Sequence, residues 1–118
     1  EERFAALEFS RSFTSKHFRR VLDVVEARYG GPLAIEDLAA AAGLSSAHFS
    51  RVFKEVTGDT PYQFVMDYRV EQAKRLLADR EKPLIDVALA CGFADQPHFT
   101  RVFKQLAGRT PKEWRATG

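Results

Sequence analysis

Between Ile35 and Trp114 the chain states one pattern twice, and that duplication limits what it can fold into. His48-Phe49-Ser50-Arg51-Val52-Phe53-Lys54 returns 50 positions on as His98-Phe99-Thr100-Arg101-Val102-Phe103-Lys104. Gly58-Asp59-Thr60-Pro61 returns at the same shift as Gly108-Arg109-Thr110-Pro111. Upstream the shift is 49, pairing Asp37-Leu38-Ala39 with Asp86-Val87-Ala88 and Gly43-Leu44 with Gly92-Phe93. The second copy therefore carries one extra residue between its glycine and its histidine. A repeated segment of this size is one supersecondary unit used again. Two copies are too few for a solenoid, so the expectation is two related subdomains.

Each copy reads as helices, and no useful length alternates at period two. Phe18, Val21, Leu22, Val25 and Tyr29 fall on one helical face after a cap at Thr14 or Ser15, and Gly30-Gly31-Pro32 ends that helix. The bland reading of Arg19, Arg20 and Arg28 on it, a solvated face, outweighs phosphate contact. A short Ala-rich helix from Ile35 to Ala42 stops at Gly43. Ser45 caps a helix running to about Thr57, whose core stripe is Phe49, Val52, Phe53 and Val56. Thr60, Pro61 and Gln63 open a longer helix with a capping box, carried to about Asp79. The pattern then repeats: Leu84 to Cys91, a stop at Gly92, and a helix capped by Asp95 with core stripe Phe99, Val102, Phe103 and Leu106. A second capping box, Thr110 with Glu113, starts a last short helix anchored by Trp114. The fold expected is all-α, two helix-turn-helix subdomains joined by a long central helix. The boundaries are 1–13 as linker or short extra helix, 14–60, 61–80 for the connecting helix, and 81–118.

The second face of each repeated helix has the composition of a base reader. Ala47, Ser50, Arg51 and Lys54 form one outward stripe; Pro97, Thr100, Arg101 and Lys104 form the other. Arg51 and Arg101 each offer a fork of donors that matches the two acceptors on guanine. Ser50, Thr100 and Gln96 suit base edges, and Ala47 and the Thr100 methyl suit a thymine methyl. Ser45, Ser46, Lys54 and Lys104 suit phosphates, as do N–H groups at helix starts, which adds Thr60, Thr110 and Lys112. On one helix an ordinary solvated surface explains such a stripe nearly as well. Two helices with the same stripe, each after a small helix and a glycine turn, favour the helix-turn-helix reading. A helix from Pro61 to Asp79 is about 28 Å long at ~1.5 Å per residue. That falls a little short of the ~34 Å between successive major-groove faces, which implies DNA bent toward the protein.

Composition sets bounds. With 118 residues, 45% hydrophobic and 29% charged, the chain is an ordinary globular one. The net charge of +2 argues nothing by itself; the placement of charge does. No apolar run approaches the ~20 residues of a membrane span. The lone Cys91 cannot form an internal disulfide, which fits a reducing, cytoplasmic setting. Because the chain starts at Glu1, it is expected to be a piece of a longer protein. His17, His48, His98 and Cys91 lack zinc spacing, so no metal and no cofactor are expected. No nucleophile–base motif, phosphate-cradling loop or carboxylate pair argues for an enzyme. The remaining rival is a helical protein-interaction module that never touches DNA.

From about Val21 to Trp114 the chain resembles the DNA-binding domain of the AraC/XylS family of bacterial transcription regulators. The stretch from Ile85 through Lys104 and on to Gly108-Arg109-Thr110-Pro111 is similar to the family's signature almost position by position. The first copy, Leu38 through Pro61, fits more loosely. The resemblance implies seven helices. It also implies base-reading positions at Ala47, Ser50 and Arg51, then at Gln96, Pro97, His98, Thr100 and Arg101. Ala47 and Pro97 are poor hydrogen-bonders, so readout there is apolar or absent. The family leans to activators that touch RNA polymerase, and often adds an N-terminal effector-binding or dimerisation domain. Nothing in this chain resembles such a domain.

Overall fold

A computed structural model describes residues 7–117. The described residues form seven α-helices and no strand. They are α1 (Ser15–Arg28), α2 (Ile35–Ala41), α3 (Ser46–Thr57), α4 (Pro61–Leu76), α5 (Leu84–Ala90), α6 (Gln96–Ala107) and α7 (Pro111–Thr117). The chain divides into two compact units. The first holds the residues through Ala27 and Leu33–Phe64; the second holds Arg28–Pro32 and the chain from Val65 onward.

In the first unit an aromatic cluster forms the core. Phe13, Phe49 and Phe53 are wholly buried, and Phe18 and Phe64 nearly so. Phe13 stands edge-on to Phe49 and Phe53, with centroids 6.0 and 5.7 Å away. Its part in the core corrects the sequence expectation, which treated residues 1–13 as a linker or short extra helix. Residues 1–6 of that stretch lie outside the described residues, and residues 7–13 form no helix. Instead Phe13 precedes the capping residue Thr14 and meets Phe18 edge-on at 6.2 Å, a hydrophobic staple fixing the entry of α1. The Thr14 N–H donates to His17 Nδ1 at 3.0 Å, the return bond a capping carboxamide or carboxylate usually makes.

The second unit is built on the same plan. Phe99 and Phe103 are wholly buried, and Phe103 meets Trp114 edge-on at 5.9 Å, as Phe53 meets Phe64 at 5.3 Å. Val70, Ala73, Leu77, Val87, Ala88, Cys91 and Phe93 complete this core. Leu106, expected inside, is 46% exposed, whereas its counterpart Val56 is buried. Tyr29, expected on the α1 face, lies one residue past that helix and packs edge-on to Tyr68 at 5.4 Å. The Arg69 guanidinium draws it there, with Nε donating to the Tyr29 carbonyl (3.1 Å) and an Nη to the Gly31 carbonyl (2.8 Å).

The connecting helix also ends early, at Leu76 rather than about Asp79. Its last α-type bond runs from Leu77 N–H to the Ala73 carbonyl; Ala78 and Asp79 donate only three residues back, tightening the chain out of the helix. The 16 residues of α4 span about 24 Å.

Candidate nucleic-acid interface

The turn ahead of each outward helix closes in the same way. Gly43, at φ 69°, donates to the Ala40 carbonyl, and Leu44 donates to Ala39. Gly92, at φ 89°, donates to Leu89, and Phe93 donates to Ala88. Both are Schellman closures, which need the left-handed backbone that glycine adopts cheaply. They differ in crowding. A Cβ on Gly43 meets nothing within 4 Å, but one on Gly92 lies 2.2 Å from the Tyr29 carbonyl oxygen and 2.8 Å from Arg69 Nε. The extra residue of the second copy falls in this turn, as Ala94, ahead of the cap. The helices therefore keep register: Ser45 Oγ accepts from His48 N–H (3.2 Å), and Asp95 Oδ1 accepts from His98 N–H (2.8 Å).

These caps leave the expected stripes on the surface. On α3, Ala47, Arg51 and Lys54 are exposed and Ser50 is half-buried. On α6, Pro97, Arg101 and Lys104 are exposed and Thr100 is half-buried. Arg51, Lys54, Arg101 and Lys104 make no ion pair among the described residues. Ser50 donates its hydroxyl proton to the Ser46 carbonyl at 2.9 Å, which leaves its oxygen as an acceptor, suited to a base amino group. Gln96 and His98 are half-buried. The His98 ring meets Phe93 edge-on at 5.4 Å, so it buttresses the start of α6 as well as edging the stripe.

Ser45, Thr60 and Thr110 are in place as caps, and Ser46 is the first residue of α3. Ser45 is exposed, Ser46, Thr60 and Thr110 are half-buried, and Lys112 is exposed. Thr60 Oγ1 accepts from Gln63 N–H while Gln63 Oε1 accepts from Thr60 N–H; Thr110 and Glu113 make the same reciprocal pair. The bonds from Thr110, first its N–H, hold the Glu113 carboxyl below its ordinary pKa, with the charges of Lys104 and Arg109 adding to them. Each capping hydroxyl accepts one backbone bond and still has its own proton to donate.

In the first unit the stripe borders a groove of about 600 Å³, walled by Ala47, Ser50, Arg51 and Lys54 on α3 and by Thr60 and Tyr62 at the start of α4. Tyr62 and Glu55, which also line it, were missed by sequence reasoning. The 50-residue shift pairs Tyr62 with Lys112, a residue already singled out, and that pairing was the available signal. Cys91 is wholly buried, and among the described residues no group of three potential metal ligands gathers. No described helix is long and apolar enough to cross a membrane.

Comparison with known proteins agrees with this geometry. A family described as a helix-turn-helix domain matches residues 38–117. The chain is similar to a probable transcriptional regulator, LumQ of Photobacterium leiognathi, at 41% identity over 64 residues, 54% of this chain and 26% of that protein. The fold is similar to a transcriptional regulator of Chromobacterium violaceum described as having an AraC-type DNA-binding domain. That match has TM-score 0.78 and 31% identity, and covers 85% of this chain and 89% of that one. It is also similar to the DNA-binding domain of AdpA, a global transcriptional factor solved in complex with a target DNA. Here the TM-score is 0.78 and the identity 31%, covering 88% of this chain and 93% of that one. The matches take in only about a quarter to a third of the first curated relatives' own length. With the duplicated turn, the duplicated stripe and these matches together, the chain belongs to the AraC/XylS family of helix-turn-helix transcriptional regulators, as a DNA-binding domain of the AraC type.

Proposed function

We propose that this domain binds a specific double-stranded DNA site, with α3 and α6 entering successive major grooves. The observation that carries the reading is the repeated exposed stripe, Ser50-Arg51-Lys54 on one helix and Thr100-Arg101-Lys104 on the other. Arg51 and Arg101 read guanine, Ser50, Gln96, His98 and Thr100 meet other base edges, and Ala47 and Pro97 make apolar contacts. Ser45, Ser46, Lys54, Thr60, Lys104, Thr110 and Lys112 hold phosphates and fix the register. Because the two stripes differ in sequence, the site is asymmetric and about two turns long, and one copy of the chain fills it.

In the intact bacterial regulator the domain acts in the cytoplasm, more as an activator than as a repressor, with RNA polymerase as a further partner. The short share of the curated relatives that is matched supports an additional effector-binding or dimerisation domain. Titration of duplex DNA at rising salt tests the central reading. Phosphate contacts release counterions, so log affinity should fall linearly with log salt. A domain that binds only protein partners shows no competitor-resistant duplex binding even at low salt.

A further inference from the structure

From the last turn of each outward helix to the start of the next helix, three positions differ in charge in one direction, while Gln63 against Glu113 differs in the other and offsets part of it. Glu55, Asp59 and Tyr62 of the first unit stand where the second has Gln105, Arg109 and Lys112, each at the 50-residue shift. All six are exposed. The first trio carries two negative charges, and the second carries two positive ones. The cations on the stripes themselves are matched, Arg51 and Lys54 against Arg101 and Lys104. In place of Lys112 the first unit offers the Tyr62 ring, 62% exposed, on the wall of the groove shared with Arg51 and Lys54. In the second unit Arg109 lies over the Trp114 ring at 5.3 Å and bonds to the Thr117 hydroxyl, which gives its charge a fixed place.

A tyrosine and a lysine hold a sugar–phosphate strand differently. The tyrosine ring covers deoxyribose carbon and its hydroxyl donates to a phosphate oxygen, and neither contact displaces a counterion. A lysine or arginine gains most of its binding from that displacement and loses it as salt rises. Glu55, in the same groove as Tyr62, further opposes a purely ionic grip in the first unit.

We infer that the two units hold the DNA backbone by different chemistry: Tyr62 is an uncharged backbone contact of the first unit, Arg109 and Lys112 are cationic contacts of the second, and rising salt frees the second unit's half-site first. This rests on the DNA-binding reading above. The test is hydroxyl-radical footprinting of the intact chain on a duplex selected from a random pool about 25 bp wide. Salt is raised from about 50 to about 200 mM. The half-sites are assigned to their units by which protection weakens in Arg51→Ala and in Arg101→Ala.

The expected result is loss of the second unit's footprint at the lower salt. Lys112→Ala should flatten the log–log salt slope by about 0.9, and Tyr62→Lys should steepen it by about as much. Tyr62→Ala should lower affinity about 3–10-fold at every salt with the slope unchanged. Tyr62 is largely exposed, so these changes spare the core. Simultaneous loss of both footprints, earlier loss of the first unit's, or wild-type binding by Tyr62→Ala overturns this inference and leaves the DNA reading standing. Absence of any duplex binding by the unaltered chain overturns that reading and this inference with it.

Discussion

The Phe13 ring stands edge-on to the Phe53 ring, their centroids 5.7 Å apart and both side chains wholly buried. Phe53 is buried in α3 while Arg51 and Lys54 of the same helix are exposed, so the segment ahead of α1 braces the helix proposed to enter DNA. Phe13→Ala should cost about 3–5 kcal/mol of stability in urea unfolding, as much as Phe53→Ala. Phe9, 36% exposed at the edge of the same cluster, should cost clearly less when truncated. A loss below about 1 kcal/mol for Phe13→Ala would show that the strap contributes no core.

Gly43 and Gly92 occupy equivalent turns but have unequal surroundings. Gly43→Ala carries only the cost of a left-handed alanine, about 1–2 kcal/mol. Gly92→Ala carries that cost and also drives its methyl into the Tyr29 carbonyl and the Arg69 guanidinium. The carbonyl is backbone and yields little, so the difference should be at least about 2 kcal/mol. Equal unfolding midpoints for the two variants would mean that the Arg69 clamp is not closed on Gly92 in solution.

Burial pushes the Cys91 thiol from its ordinary 9.0 up to about 11, against the opposing pull of the Arg69 charge. Above pH 9 the unfolded chain gives up this proton while the folded chain keeps it, so stability falls as pH rises from about 9 to about 11. Below pH 9 both states hold the proton and the residue adds no pH dependence. Cys91→Ala should remove this part of the alkaline decline, seen as a shallower fall of the unfolding free energy across that window. Identical alkaline profiles for the variant and the unaltered chain would contradict the burial of the thiol.

Much of this was legible in the sequence because it is local. Ser45, Asp95, the Thr60–Gln63 pair and the Thr110–Glu113 pair cap their helices through bonds three residues long, and their types and spacing announce them. The stripes were legible for the same reason, since the eight residues from Ala47 to Lys54, or from Pro97 to Lys104, are enough to define a helix face. What escaped notice depends on distant partners. Phe13 is core only because Phe49 and Phe53 come to it, and Tyr29 leaves its expected face because Arg69, 40 positions away, takes its carbonyl. The early end of α4 escaped for a different reason: Ala78 and Asp79 suit a helix by composition, and the chain tightens there into three-residue bonds. Tyr62 was legible through the repeat, but a tyrosine beside a capping box reads first as packing.

Base reading by Arg51 and Arg101 is the centre of the proposed function. The most direct measurement is the affinity of Arg51→Ala and Arg101→Ala for the selected duplex and for its single-base variants. Each substitution should cost about 1–3 kcal/mol on the selected site and remove discrimination at one base pair, a different pair for each arginine. If both variants bind the selected site as the unaltered chain does, with the same base preferences throughout, α3 and α6 do not read DNA.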